Sequence, residues 1–325
     1  MQLIRGLNRW PDNTESVVTI GNFDGVHLGH QSMLASLRSA ADTHQLPATV
    51  ISFEPLPQEY FMPQSAPSRL QGLRDRVRSI EASGVDRLVL LDFDSHFAEQ
   101  SAEDFISDVL IEQLQTRHLI IGDDFCFGHK RRGNFQMLTS AAKTHGFTLQ
   151  RSHTCLQDEH RISSTRVREH LSKGELAAAT SLLGRPYRIS GRVIHGEKVG
   201  RQLGFPTANV ALGVLRPALR GVFAVWACDL ERGTRHAAVA NLGERPTVGG
   251  RKLLLEVHLL DAEADLYGHH LAVDFIAQLR HEQRFASLDE LKMQIARDAD
   301  AARELMKDQM TYTDPLCSTD EARQT

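Results

Sequence analysis

No stretch of the 325-residue chain approaches the roughly 18 consecutive apolar residues of a membrane-spanning helix. Residues 1–13 show no basic region followed by an apolar run, so no signal peptide is expected. Cysteine is scarce: Cys126, Cys155, Cys228 and Cys317 are scattered, with no Cys-x-x-Cys pair. That spacing argues against a disulfide scaffold and against a Cys-based zinc site, and it points to a reducing cytoplasm. Positive charge is not in excess either. The balance of Lys and Arg over Asp and Glu is 37 − 41 = −4, which excludes a general nucleic-acid-binding surface but leaves local sites for small phosphates open. Against these absences stand 41% hydrophobic and 24% charged residues, enough to build real cores. At about 150 residues per domain, the length suggests two of them.

The first half alternates strand-like and helix-like patterns. Val- and Ile-rich runs at 16–23, 48–54, 87–93 and 118–123 read as buried strands. Between them, residues 30–44 place Met33, Leu34, Leu37 and Ala41 on one helical face, 69–83 form a striped helix ending at Gly84, and 101–115 open on a Ser101-to-Asp104 capping-box spacing. The expectation is a doubly wound α/β domain with a parallel sheet. Near Gly184-Arg185-Pro186 helical periodicity stops for about 90 residues, too long for a single loop. Short alternating runs at 187–194, 221–229, 235–242, 253–260 and 271–279 predict an antiparallel sheet or small barrel. A final helix is expected over 287–307, opened by Ser287 and Glu290, followed by a polar tail from Thr311. The expected division is 1–184, 185–310 and a tail, 311–325.

The strand at 17–20 runs into Gly21-Asn22-Phe23-Asp24-Gly25-Val26-His27-Leu28-Gly29-His30. A strand, a glycine-rich turn and a helix start together make an anion site, because helix N-termini carry free N–H groups and a positive dipole end. Two imidazoles three residues apart can face one phosphate, and Gly29 keeps the approach open. The same residues also fit a tight turn with two surface histidines, or a histidine metal site. Further along, Ile162-Ser163-Ser164-Thr165-Arg166-Val167-Arg168 precedes a helix expected at 166–173, so its hydroxyls either cap that helix or, with Arg168, bind phosphate.

In the second half, Gly200-Arg201-Gln202-Leu203-Gly204-Phe205-Pro206-Thr207-Ala208-Asn209 and the nearby Gly196 suggest a loop whose backbone approaches a ligand. Thr207 and Asn209 are oxygen-bearing residues suited to Mg²⁺ beside nucleotide phosphates. A structural turn explains the glycines equally well. Glu256 stands in the apolar run Leu253-Leu254-Leu255-Glu256-Val257, where a carboxylate must be partnered, exposed on the alternate face, or catalytic.

Taken together, these strings resemble a known family. Residues 21–30 look like the nucleotidyltransferase signature in the version carried by prokaryotic bifunctional riboflavin kinase/FAD synthetases. Phe53-Glu54-Pro55-Leu56-Pro57, Ile121-Gly122-Asp123-Asp124-Phe125-Cys126-Phe127-Gly128 and the Ser163–Arg168 segment are similar to its further blocks. The 200–209 string resembles the riboflavin kinase signature, and Asn241-Leu242-Gly243-Glu244-Arg245-Pro246-Thr247 and the segments around Glu256 and Arg280 agree with it. The resemblance implies a nucleotidyltransferase domain, Rossmann-like with a parallel sheet, followed by a small antiparallel β-barrel and a C-terminal helix. It implies two reactions: riboflavin to FMN in the second half, and FMN plus ATP to FAD plus pyrophosphate in the first.

By the same resemblance, His27 and His30 are catalytic, with ATP and its phosphates held by Asn22, Phe23, Gly29, Ser163, Ser164, Thr165 and Arg168. In the kinase half, Gly196, Gly204, Thr207 and Asn209 bind ATP, Thr207 and Asn209 hold Mg²⁺, and Glu256 is the general base for the ribityl hydroxyl. Flavin contacts are implied for Asp124, Phe125, Phe127 and Arg280, with Asp124 on either the flavin or the ribose side. Two departures stand out: Asp124 where some members have Asn, and Asn134 where many have Asp. The Lys130–Arg132 run is either a solvated turn or an FMN-phosphate contact. Riboflavin, FMN and ATP are the expected partners, with no nucleic acid and no membrane, in a monomer or weak oligomer. The alternatives are an enzyme with one surviving activity, or a flavin sensor that binds without turnover.

Overall fold

The computed structural model describes residues 1–10, 14–196, 204–247, 250–262 and 264–307. The polar tail expected from Thr311 and residues 200–203 of the glycine-rich string lie outside them. Two compact units result. Residues 1–67 and 76–163 form one, and residues 68–75 join the chain from Ser164 onward in the other.

The first unit is built on β1 (Gln2–Arg5), β2 (Ser16–Ile20), β3 (Ala48–Glu54), β4 (Arg87–Asp92), β5 (Thr116–Ile121) and β6 (Thr148–Arg151). All pair in parallel, in the order β1-β4-β3-β2-β5-β6. Helices α1 (Leu28–His44), α2 (Pro57–Phe61), α3 (Leu73–Glu81), α4 (Ser95–Glu99), α5 (Ala102–Asp104) and α6 (Phe135–His145) make the crossovers. The central strands are buried on both faces, which is why they read as nearly continuous apolar runs. Strand order reverses at β2, with β3 on one side and β5 on the other. Ligands of open parallel sheets sit at such a switch point, outside the carboxyl ends of the strands.

Local chemistry sets the helix ends. On α1, Leu34, Leu37 and Ala41 are buried as their spacing predicts. Ser101 accepts from the Asp104 amide at 3.0 Å and starts α5 at Ala102–Asp104. The helix then continues through Phe105–Gln113 with wider π-type spacing, which sequence periodicity did not signal. The helix expected over 69–83 begins only at Leu73, after Gly72.

In the second unit, α7 (Ser164–Ser172) and α8 (Leu176–Leu183) precede β9 (Tyr187–Ile194), β10 (Ala208–Val210), β11 (Gly221–Asp229), β12 (Thr234–Thr247), β13 (Gly250–Leu259) and β14 (His270–Arg280). These six strands close into an antiparallel barrel, β10-β13-β12-β11-β14-β9. Phe223 stacks edge-on against Phe275, and Tyr187 packs on Phe275, in the interior. The opposite face of β11 carries Val222, Ala224 and Trp226, covered by Ala299, Ala302 and Met306 of the last helix, α9 (Leu288–Lys307). That is why β11 is buried along its whole length. Helix α9 opens as its sequence predicts: the Glu290 amide donates to Ser287 Oγ at 3.2 Å, and the Ala286 amide donates back to the Glu290 carboxylate at 3.0 Å. Packing divides the chain between Ser163 and Ser164, whereas the change of pattern falls at Gly184. Helix α8 packs on β9 and β14 and ends in a left-handed cap at Gly184, φ 72°. In the same unit the Asp75 carboxylate accepts from the Ser190 amide at 3.2 Å and from its hydroxyl.

Candidate active sites

The turn after β2 is unusual backbone. Phe23 (φ 49°) and Val26 (φ 39°) take left-handed conformations although neither is glycine, beside Gly25 at 87°. Each such residue costs about 1–2 kcal/mol and persists only where its surroundings hold it. Here the Phe23 ring is wholly buried, and the Gln31 side-chain amide donates to the Val26 carbonyl at 2.8 Å.

The turn delivers His27 to the N-cap of α1. Its Nδ1 accepts from the His30 backbone N–H at 3.3 Å. Nδ1 of the neutral ring is thereby an acceptor, and Nε2 carries the proton. The His27 and His30 rings stack at 3.7 Å, 15° from parallel. Burial, then the neighbouring His27, then Arg161, push the His30 imidazole well below its usual pKa. Its Nδ1 is enclosed without a hydrogen-bond partner. A Cβ on Gly29 would sit 3.2 Å from His27 Nδ1 and 3.5 Å from the Ile162 carbonyl. Gly29 therefore lets the His27 ring and the start of the second motif close on one point. Asn22, Phe23, His27, Gly29, His30 and Ser163 share this unit; Ser164, Thr165 and Arg168 belong to the other. There, helix α7 already begins at Ser164, so Ser164 and Thr165 occupy its first turn rather than preceding it. Arg168 Nε donates to the Ser68 carbonyl at 2.5 Å.

The residues expected to meet flavin are divided. Asp124 and Phe125 line an open cavity of about 630 Å³, with Asp123, Phe135, Lys143 and Arg151 also on its walls. A hydrogen bond from Arg161, 2.9 Å away, holds the Asp124 carboxyl below its usual range. Phe127 is different: 8% exposed, it belongs to the sheet core and packs on Phe105 and Phe125. Asn134 caps α6 by accepting from the Met137 amide at 3.1 Å. Asn and Asp serve equally well there, which explains that departure. The Lys130–Arg132 side chains are exposed on a short 3₁₀ turn.

In the barrel, strand register does the assembling. Glu256 on β13 stands opposite Asn209 on β10 and Asn241 on β12, so the three form one row across the sheet. Glu256 is 9% exposed. A Cβ on Gly196 would collide with the Asn209 side-chain amide, so Gly196 makes the recess in which that amide sits. Thr207 is half-buried just before β10, and Gly204 is left-handed at φ 86°. Arg280 lies apart from this row. Its Nε and Nη2 hold the Asp298 carboxylate of α9 at 2.9–3.1 Å, and Nη1 donates to the His281 carbonyl.

Two domain families match in succession: FAD synthetase over residues 10–166 and riboflavin kinase over 183–306. A bifunctional riboflavin kinase/FMN adenylyltransferase of Haemophilus influenzae is 48% identical over 304 residues, 93% of this chain and 98% of its own. The chain belongs to the bifunctional riboflavin kinase/FMN adenylyltransferase family. The Escherichia coli member is 47% identical, covering 94% of this chain and 97% of that one. A crystal structure from Streptococcus pneumoniae, named a macrolide-efflux protein, superposes with a TM-score of 0.81 at 28% identity, over 93% of this chain and 99% of that one. Among the described residues of this family member, no helix is long and apolar enough to cross a membrane.

Two arginines near the His27 turn escaped the motif reading. Arg161 stands immediately before Ile162 and bears electrostatically on His30 while pairing with Asp124. Arg76 is buried in α3, and its signal was a charge in the apolar stripe of Leu73, Val77 and Ile80.

Proposed function

We propose that the chain carries both activities of its family, each in its own unit, with the functional boundary at Gly184. The observation that carries the reading is the His27 turn: a cap-locked imidazole, a stacked partner and a glycine opening, all at the switch point of the sheet. In this unit an FMN phosphate oxygen attacks the α-phosphorus of ATP. The new P–O bond joins FMN to AMP, and the bond to the β-phosphate oxygen breaks, releasing pyrophosphate. The nucleophile is already anionic, so no strong base is needed; positioning and charge stabilisation suffice. His27 donates from Nε2, and the α1 N-terminus offers free N–H groups to the same oxygens. His30, kept neutral by burial and its neighbours, gains affinity for a proton once phosphate charge arrives beside it. Ser163 supplies a further phosphate contact, and Asp124 and Phe125 face flavin.

In the barrel, the riboflavin 5′-hydroxyl attacks the γ-phosphorus of ATP and ADP leaves. An alcohol is a weak nucleophile at neutral pH, so Glu256 takes its proton as the bond forms. Thr207 and Asn209 present hard oxygen donors, and the recess at Gly196 fits a side-chain amide held for a ligand. These residues would hold Mg²⁺, which when bound neutralises phosphate charge. Arg280 acts through position, fastening α9 to the barrel. The use of ATP supports a cytoplasmic setting; Cys126 and Cys155 are free, but Cys228 is disulfide-bonded, against the expectation from the cysteine spacing. Incubation with riboflavin, ATP and Mg²⁺, with riboflavin, FMN and FAD separated over time, tests the reading. FMN must appear first and FAD follow; absence of both products from riboflavin removes the kinase activity, and absence of FAD when FMN is supplied removes adenylylation.

A further inference from the structure

We propose that Arg76 is a positioning residue of the adenylyl-transfer centre, whose buried guanidinium sets the peptide plane from which the His27 turn is launched. The inference rests on the assignment of FAD formation to this unit. Arg76 is 2% exposed and heads the largest fully buried side chains of the described residues. Its Nη1 donates to the Asn22 carbonyl at 3.2 Å, and its Nη2 donates to the Phe53 carbonyl at 3.0 Å and to the Glu54 carboxylate at 2.7 Å. Asn22 follows β2, and Phe53 and Glu54 end β3, the neighbouring parallel strand. One planar fork thus ties together the carboxyl ends of two strands at the switch point.

The Asn22 carbonyl matters most. It shares a rigid peptide plane with the Phe23 N–H, so holding the oxygen fixes the plane on which the φ of Phe23 depends. Ser52 Oγ holds the same oxygen, at 3.3 Å. Phe23 is the first of three left-handed residues, with Gly25 and Val26, in the turn before His27, and an unfavourable backbone of this kind survives only when several contacts determine it. Glu54 matches the charge of Arg76, so the guanidinium serves as a directional donor rather than a free cation for phosphate. Lysine cannot replace it. A single ammonium group lacks the rigid fork that reaches acceptors in separate directions.

The test uses the full chain with Arg76→Lys and Arg76→Met. FAD formation from FMN and ATP is followed, with riboflavin phosphorylation measured in the same preparation and each rate expressed per folded unit. Arg76→Lys is expected to lower kcat for FAD formation about 10- to 100-fold, as a small misplacement of a reacting group does. The KM for ATP should move less than about threefold, and riboflavin phosphorylation less than about twofold. In ¹⁵N spectra of the imidazoles, His27 should lose its pure Nε2–H signature in the variant, which a general loss of stability would not cause. Arg76→Lys with kcat within about twofold of the parent chain, or with an unchanged His27 signature, overturns the proposal. Should Arg76→Met fail to fold, Arg76→Lys decides, since it keeps a charge for Glu54. His27→Ala runs alongside. If that variant keeps FAD formation, the assignment of the centre is what fails. If it loses FAD formation and Arg76→Lys does not, only the role of Arg76 is refuted.

Discussion

In the first unit the groups proposed to meet phosphate lie on one turn, from Asn22 to His30, joined by Ser163. In the barrel, Asn209, Glu256 and Asn241 sit on three strands and meet only through their register. The chemistry differs in the same sense. An anionic phosphate nucleophile needs donors and positive ends, which a strand–turn–helix supplies from contiguous chain. A neutral hydroxyl needs a base, and a base inside an apolar strand needs partners brought from elsewhere in the sequence. A contiguous site depends on backbone held against its preference, whereas a dispersed site depends on pairing.

The largest effect is expected from Glu256→Gln. Loss of a general base costs about 10²- to 10⁴-fold, so FMN formation should collapse while adenylylation of supplied FMN continues. A variant that phosphorylates riboflavin at the parent rate, measured by FMN release, removes the base from the barrel. Next in size, His27→Ala should cut FAD formation about 10²- to 10³-fold, the scale of losing one transition-state donor. Riboflavin phosphorylation should stay within about twofold; a matching fall in both rates would show that the centres are not separate.

Gly196→Ala sharpens the barrel side. The added methyl group collides with the Asn209 amide, and overpacking of this kind costs about 1–3 kcal/mol. The apparent affinity for Mg·ATP in the kinase reaction should fall about tenfold with adenylylation untouched. An unchanged KM for ATP would detach Asn209 from the nucleotide. The smallest effect is pH-dependent. His30 is held neutral in the folded chain, while the unfolded chain binds a proton near the ordinary pKa of about 6.5. Its contribution to stability is therefore full above that value and is lost as the pH falls below it. An NMR titration should find His30 neutral well below the other histidines, and a midpoint at or above about 6.5 would contradict its enclosure by His27, Arg161 and the protein interior.

Much of this was legible in the chain itself, unevenly and for identifiable reasons. The central strands β2 to β5 declare themselves because burial on both faces demands continuous apolar runs. The edge strands β1 and β6 and the three-residue β10 do not, being short and half-exposed. Phe127 and Arg280 show that a motif does not state what surrounds a side chain. Position in a motif marked both for flavin, yet one ring lies in the sheet core and one guanidinium is tied to Asp298. Arg76 was visible only as a charge at an apolar position, and Arg161 only as the residue before a motif.

What the sequence determined by itself was the division into an α/β half and a barrel half, and the His27 site, because hydrophobic period and a turn followed by a helix are properties of consecutive residues. Tertiary structure alone decided that Asn209, Glu256 and Asn241 share a row, that α7 and α8 pack with the barrel, and that Arg76 reaches the Asn22 and Phe53 carbonyls. Those are contacts between residues far apart in the chain, and they exist only once strands have paired and helices have packed.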